Sequence, residues 1–210
     1  MADPMTEVLK HQYIYVPRIK DALNIGKQLA LAVAQARGTR LRVLAPQKNS
    51  ATFHPELAKL AIVTERSGRL DDGGVILAWC PTHKAMEKTH HLHNSVIVLV
   101  EWIPGEFAAW AKLNGAYNVA TGEVMNAGLS AEAREALEMI VSEGYNGWTK
   151  PTDQLMTTSY LEDLRSAGAY DRDLILAYAR QTKWETSIER LKRIIDAFEA
   201  QTTPSPRRRR

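Results

Sequence analysis

The chain's only cysteine and four of its six histidines fall in one short string, CPTHKAMEKTHHLHN, from Cys80 to Asn94. Cys80 and His83 are spaced C-x-x-H, and His90, His91 and His93 follow closely. Thiolate and imidazole are the usual ligands of zinc, so a metal site is one chemistry that these residue types permit. A second is nucleophilic catalysis, with Cys80 as the thiolate and His83 as its base.

The flanking residues split the string. GGVILAWCP (Gly73 to Pro81) and NSVIVLVEWIP (Asn94 to Pro104) are near-continuous apolar runs, the pattern of strands buried on both faces of a parallel sheet. Cys80 lies at the C-terminal end of the first run, and His90 to His93 lie just before the second. A helix over roughly Thr82 to Leu92 would carry the chain about 15 Å between opposite sheet edges. One zinc holds its ligands at ~2.0–2.3 Å, so it cannot take them from both ends. No metal ligand is expected. For Cys80, a strand end followed by a helix N-terminus would lower the thiol pKa. The same position also suits a small apolar side chain finishing a buried strand. No catalytic residue is assigned.

The elements that must hold any site read as α/β up to about residue 127. HQYIYVP (His11 to Pro17) and TRLRVLAP (Thr39 to Pro46) are further strands, and Ile19 to Gly38 has helical apolar spacing closed by glycine. HPELAKLA reads as a short helix, and AIVTER as either its continuation or an extra strand. This alternation predicts a small, mostly parallel Rossmann-like sheet flanked by helices. From residue 128 to 203 the pattern turns all-helical, a C-terminal helical subdomain. It comprises a helix N-capped by Ser130 and closed by Gly144, helices near Ser159 to Ala167 and Arg172 to Thr182, and a last helix started by a Thr186/Glu189 capping box. Residues 204–210 are expected to form a disordered basic tail.

Each predicted strand runs into a proline-marked loop: VPR, APQKNS, CPTH and EWIPGE. In a parallel sheet these loops gather on one edge, bringing Arg18, Lys48, His83, Glu101 and Glu106 towards one crevice. Two cations, a histidine and two carboxylates suit an anionic, nucleotide-like or phosphorylated small molecule. Asn114, Asn118, Thr121 and Glu123 are further candidates for the lining, although Asn-Gly and Thr-Gly also mark turns. Neither G-x-G-x-x-G nor G-x-x-x-x-G-K-[ST] occurs, so no cofactor is implied.

The formal charge of +3 is concentrated in Arg207, Arg208, Arg209 and Arg210; without them it becomes −1. These arginines, with Arg180, Lys183, Arg190, Lys192 and Arg193, form a candidate contact strip for DNA or a DNA-bound protein. The segment YLEDLRSAGAYDRDL has a helix-turn-helix outline, but Asp171 and Asp173 stand where base-reading residues would sit. Of the two functions that remain, the sequence favours an accessory or regulatory factor acting on DNA or a DNA-bound partner through the helical region and basic end. A binding protein or enzyme for a nucleotide-like molecule is the alternative. The longest apolar run is too short to span a bilayer, and the N-terminus lacks an apolar signal segment. With a single cysteine, these features fit a cytoplasmic protein without membrane contact.

Overall fold

The computed structural model describes residues 4–202. The chain divides into two compact units, Met1–Ala127 and Gly128–Arg210. The first contains, in order, α1 (Pro4–Val8), β1 (Tyr13–Val16), α2 (Ala22–Ala36), β2 (Leu41–Ala45), α3 (Lys48–Thr52), α4 (Pro55–Ala58), β3 (Ala61–Thr64), β4 (Val75–Trp79), α5 (His83–Met86), β5 (Val96–Val100), α6 (Ala108–Leu113), β6 (Tyr117–Asn118) and β7 (Glu123–Val124). The second contains α7 (Ala131–Glu143), α8 (Pro151–Ser166), α9 (Arg172–Arg180) and α10 (Glu185–Thr202). No helix among the described residues is long and apolar enough to cross a membrane.

The described strands form one sheet in the order β3-β2-β4-β5-β1-β6-β7. All pairings are parallel except the terminal β6–β7 pair. The small α/β, Rossmann-like class read from the sequence is therefore present. β4 and β5 are buried at every position, as their unbroken apolar runs require. Strand alternation sorts their side chains between two layers. Val75, Leu77, Val96, Val98 and Val100 pack with Ala30 and Val33 of α2. Ile76, Ala78, Ile97 and Leu99 pack with Ala85, Phe107 and Ala111 on the other face.

Several boundaries differ from the sequence reading. AIVT is the edge strand β3, paired with β2. The Tyr117–Val124 stretch forms a small hairpin rather than only a turn, because Tyr117 and Asn118 add to the open edge of β1. The expected helix between β4 and β5 shrinks to α5 and one 3-10 turn at Glu87–Thr89. α8 starts at Pro151, well before Ser159. Proline suits the first helical turn, and Lys150 and Asp153 form a capping box there. α10 starts at Glu185, so Thr186 lies inside the helix and is not its cap. The Trp184 carbonyl takes that boundary role, accepting from the Ser187 and Ile188 N–H groups. Ser130 and Asp171 do cap α7 and α9, accepting from the Ala133 and Leu174 N–H groups at 3.1 Å each. The Arg207–Arg210 run lies outside the described residues.

α2 lies unusually close to the sheet because Gly26 faces β5. A Cβ built on Gly26 would come within 2.1 Å of the Val100 Cγ2, which is itself fully buried. Gly26→Ala should therefore destabilise the sheet unit by about 1–3 kcal/mol through overpacking, despite alanine's better helix propensity. Chemical denaturation would measure it, and an unchanged or raised stability would contradict this packing.

Candidate ligand site at the strand ends

The parallel register fixes which loops meet. Val16 and Trp79 both pair with Val100, so Pro17, Cys80 and Glu101 stand one residue beyond three adjacent strands. β1 then leaves through α2 towards β2 on one side of the sheet order, and β5 leaves through α6 towards β6 on the other. The two helices pack on opposite faces. The β1–β5 boundary is thus a topological switch point, where exits diverge and open α/β sheets bind ligands.

Glu101 braces that boundary. Its side chain is 1% exposed. One carboxylate oxygen accepts from the Phe107 N–H at 2.9 Å, at the start of α6. The other accepts from the Arg18 N–H at 3.4 Å, in the loop before α2. The Tyr15 phenol also bonds to it, and burial together with this carboxylate pushes the Tyr15 pKa well above its usual value. Glu101 therefore joins the two diverging loops from beneath. That is a positioning role, since its oxygens are already engaged.

The surface above it combines charged and apolar side chains. The Arg18 guanidinium lies 4.2 Å from the centre of the Trp102 ring, a cation–π contact. Trp102, Ile103 and Ile19 are all exposed. Lys20 follows on the same loop and is exposed. The N-cap of α2, Asp21, sits at φ 63° and makes no side-chain cap bond, so its carboxylate stands at the helix start and offsets part of the positive end of the dipole. His83 and Glu106 meet across the β4 and β5 loops, Nε2 to Oε1 3.9 Å, with the imidazole 4.7 Å from the Phe107 ring.

Four of the five candidates, Arg18, His83, Glu101 and Glu106, thus gather on the loops after β1, β4 and β5. Lys48 does not join them. It begins α3, after β2, which lies three strands from β1, with strand axes about 14 Å apart. Sequence reading missed Trp102. Its signal is an aromatic residue in the loop two positions after a five-residue buried strand, at the strand end where open α/β sheets bind ligands.

The surroundings of Cys80 disfavour its thiolate. Its backbone is left-handed, φ 47°, and its N–H bonds to the Val100 carbonyl at 3.0 Å. Burial pushes the thiol up to about 11, and the nearby Arg18 only partly offsets this. The lowering expected from a helix N-terminus fails because α5 is only four residues long and desolvation dominates. Alkylation by iodoacetamide should then be slow at about pH 8 and keep rising towards about pH 11, as the thiolate forms. A rate that levels off near pH 8 would contradict this environment.

The histidine cluster divides as the parallel crossover requires. His90 to His93 lie at the N-terminal edge, beside Asp72. The Asp72 carboxylate accepts from the N–H groups of Gly73 and Asn94 at 2.9 Å, from His93 at 3.2 Å and from the Ser95 hydroxyl at 2.8 Å. Desolvation would raise its pKa, but the bonds from Asn94, Ser95 and Gly73 outweigh it and hold the carboxyl well below the usual range. His91 Nε2 lies 3.0 Å from the Leu70 carbonyl. Among the described residues, no three His, Cys, Asp or Glu side chains are arranged to hold a metal.

Of the five described cations of the strip, two, Arg180 and Lys192, are committed to ion pairs. Arg180 is bidentate to Glu185 at 2.9 and 3.0 Å. Lys192 reaches Glu185 at 3.3 Å and Glu189 at 2.5 Å. Burial lowers the Lys183 pKa. Arg190 donates to the Gly147 carbonyl at 3.2 Å, a neutral acceptor, and Arg193 is exposed. Comparison with family models, curated proteins and solved structures finds no match.

Proposed function

We propose that the sheet unit binds a phosphorylated, nucleotide-like small molecule at the β1–β5 switch point. The observation that carries this reading is the pair of diverging loops, joined by buried Glu101 and presenting Arg18 stacked on Trp102. Arg18 and Lys20, both exposed, supply positive charge for a phosphate. Trp102 and Ile103 supply an exposed apolar surface for a planar ring. The His83–Glu106 pair adds a titratable group at the rim. A thermal-shift screen of nucleoside phosphates and sugar phosphates should yield a stabilising ligand. No hit across both classes would count against the reading.

A second reading is an accessory factor for DNA or a DNA-bound protein, acting through the helical unit and the basic end. Arg190 and Arg193, which carry no carboxylate partner in the described contacts, favour it. If DNA is the partner, a chain ending at Gln201 should bind it more weakly, with a shallower salt dependence. Binding that is unchanged by the truncation and insensitive to salt would remove the strip and tail from consideration.

A further inference from the structure

We propose that the groove between α8 and α10 receives an acidic, amphipathic helix from a protein partner. This site lies wholly within the helical unit and is independent of the small-molecule reading. Two adjoining cavities form the groove. One, of about 630 Å³, is lined by Gln154, Leu155, Arg190, Arg193, Ile194 and Phe198 among others. The other, of about 490 Å³, shares Leu155 and Phe198 and extends to Met156, Glu162 and Arg165.

The floor is apolar and open. Leu155 is 71% exposed and Met156 42%, although both sit on a helix that buries Leu161 and Leu164 on its inner side. A contiguous apolar strip at the mouth of a groove favours a protein side-chain surface over a phosphate backbone. The rim supplies the charge argument. The larger cavity has Arg190 and Arg193 in its lining and no carboxylate among its described residues. At the other end, Arg165 is paired with Glu162 and lies 4.5 Å from the centre of the Phe198 ring. The uncompensated charge is therefore positive and localised at the Arg190–Arg193 end. A complementary occupant carries carboxylates beside an apolar stripe. A second copy is disfavoured, because a two-fold contact would bring this same cationic rim against itself. From Arg190 to Gln201 the groove runs about 16 Å, room for roughly three helical turns.

The test is a displayed library of helix-patterned peptides of about 16 residues, panned on the full chain. Peptides with apolar residues at i, i+3, i+4 and i+7 and net negative charge should be enriched. The best of them, made synthetically, should bind Leu155→Asp about tenfold more weakly, and Arg193→Glu several-fold more weakly. Replacing its acidic residues with lysine should restore binding to Arg193→Glu and weaken binding to the unmodified chain. Both positions are exposed, and circular dichroism should confirm that the variants fold. Enrichment without an acidic bias, or binding that Leu155→Asp leaves unchanged, would overturn the proposal. So would displacement of the peptide by a short DNA duplex, or a sedimenting dimer that Leu155→Asp dissolves.

Discussion

Glu101→Ala should destabilise the sheet unit by about 3 kcal/mol and lower its thermal midpoint by roughly 10 °C. The reasoning is local. The carboxylate is 1% exposed and accepts from the backbone N–H groups of Phe107 and Arg18. Truncation leaves buried donors without an acceptor, and the penalty for that exceeds the net worth of an ordinary hydrogen bond. Glu101→Gln should cost less, since its amide oxygen can still accept from Phe107. Ligand affinity should fall in the same order, because the two loops that carry Arg18 and Trp102 lose their common anchor. Calorimetry on the three proteins would decide it. Equal midpoints for alanine and the unmodified chain would show that the brace contributes nothing.

The largest effect in the helical unit is expected at Trp148. It is fully buried in the cluster with Leu137, Ile140, Leu161, Leu191 and Ile195. Trp148→Ala should cost about 3–5 kcal/mol through lost burial and the cavity left behind. Its indole also explains Gly144. A Cβ built there would come within 2.3 to 2.6 Å of three indole atoms. Gly144→Ala alone should therefore cost about 1–3 kcal/mol. Added to Trp148→Ala, the same change should cost less than about 0.5 kcal/mol, because the ring that it clashes with is gone. Denaturant unfolding of the two single variants and the double variant closes the cycle. Strict additivity would show that the clash does not govern Gly144.

These cases show where sequence was informative. The burial of VILAW and VIVLV on both faces followed from unbroken apolar runs, and with it the parallel sheet. The separation of Cys80 from His90–His93 followed from that crossover. What could not be read was set by contacts distant in sequence. Glu101 looked like a ligand carboxylate because nothing local reveals that the Arg18 N–H, 83 residues away, occupies it. Lys48 seemed to share the crevice because strand order, with β2 three places from β1, is not encoded in the loops. The Cys80 pKa depends on desolvation by the surrounding sheet edge, which outweighs the effect of a helix only four residues long. The starts of α8 and α10 are a different case, since their signals are local: Pro151 at the first turn with the Lys150–Asp153 capping box, and the Trp184 carbonyl that accepts from Ser187 and Ile188.

The central claim is that a phosphorylated ligand binds at the β1–β5 switch point and not elsewhere along the strand ends. Isothermal titration of the best ligand from the thermal-shift screen, against the unmodified chain, Arg18→Glu and Lys48→Ala, tests it directly. Both side chains are exposed, so neither change should unfold the protein. The expected result is a loss of about tenfold or more in affinity for Arg18→Glu, with Lys48→Ala unchanged. Binding that survives Arg18→Glu intact, or that falls only with Lys48→Ala, would contradict the site.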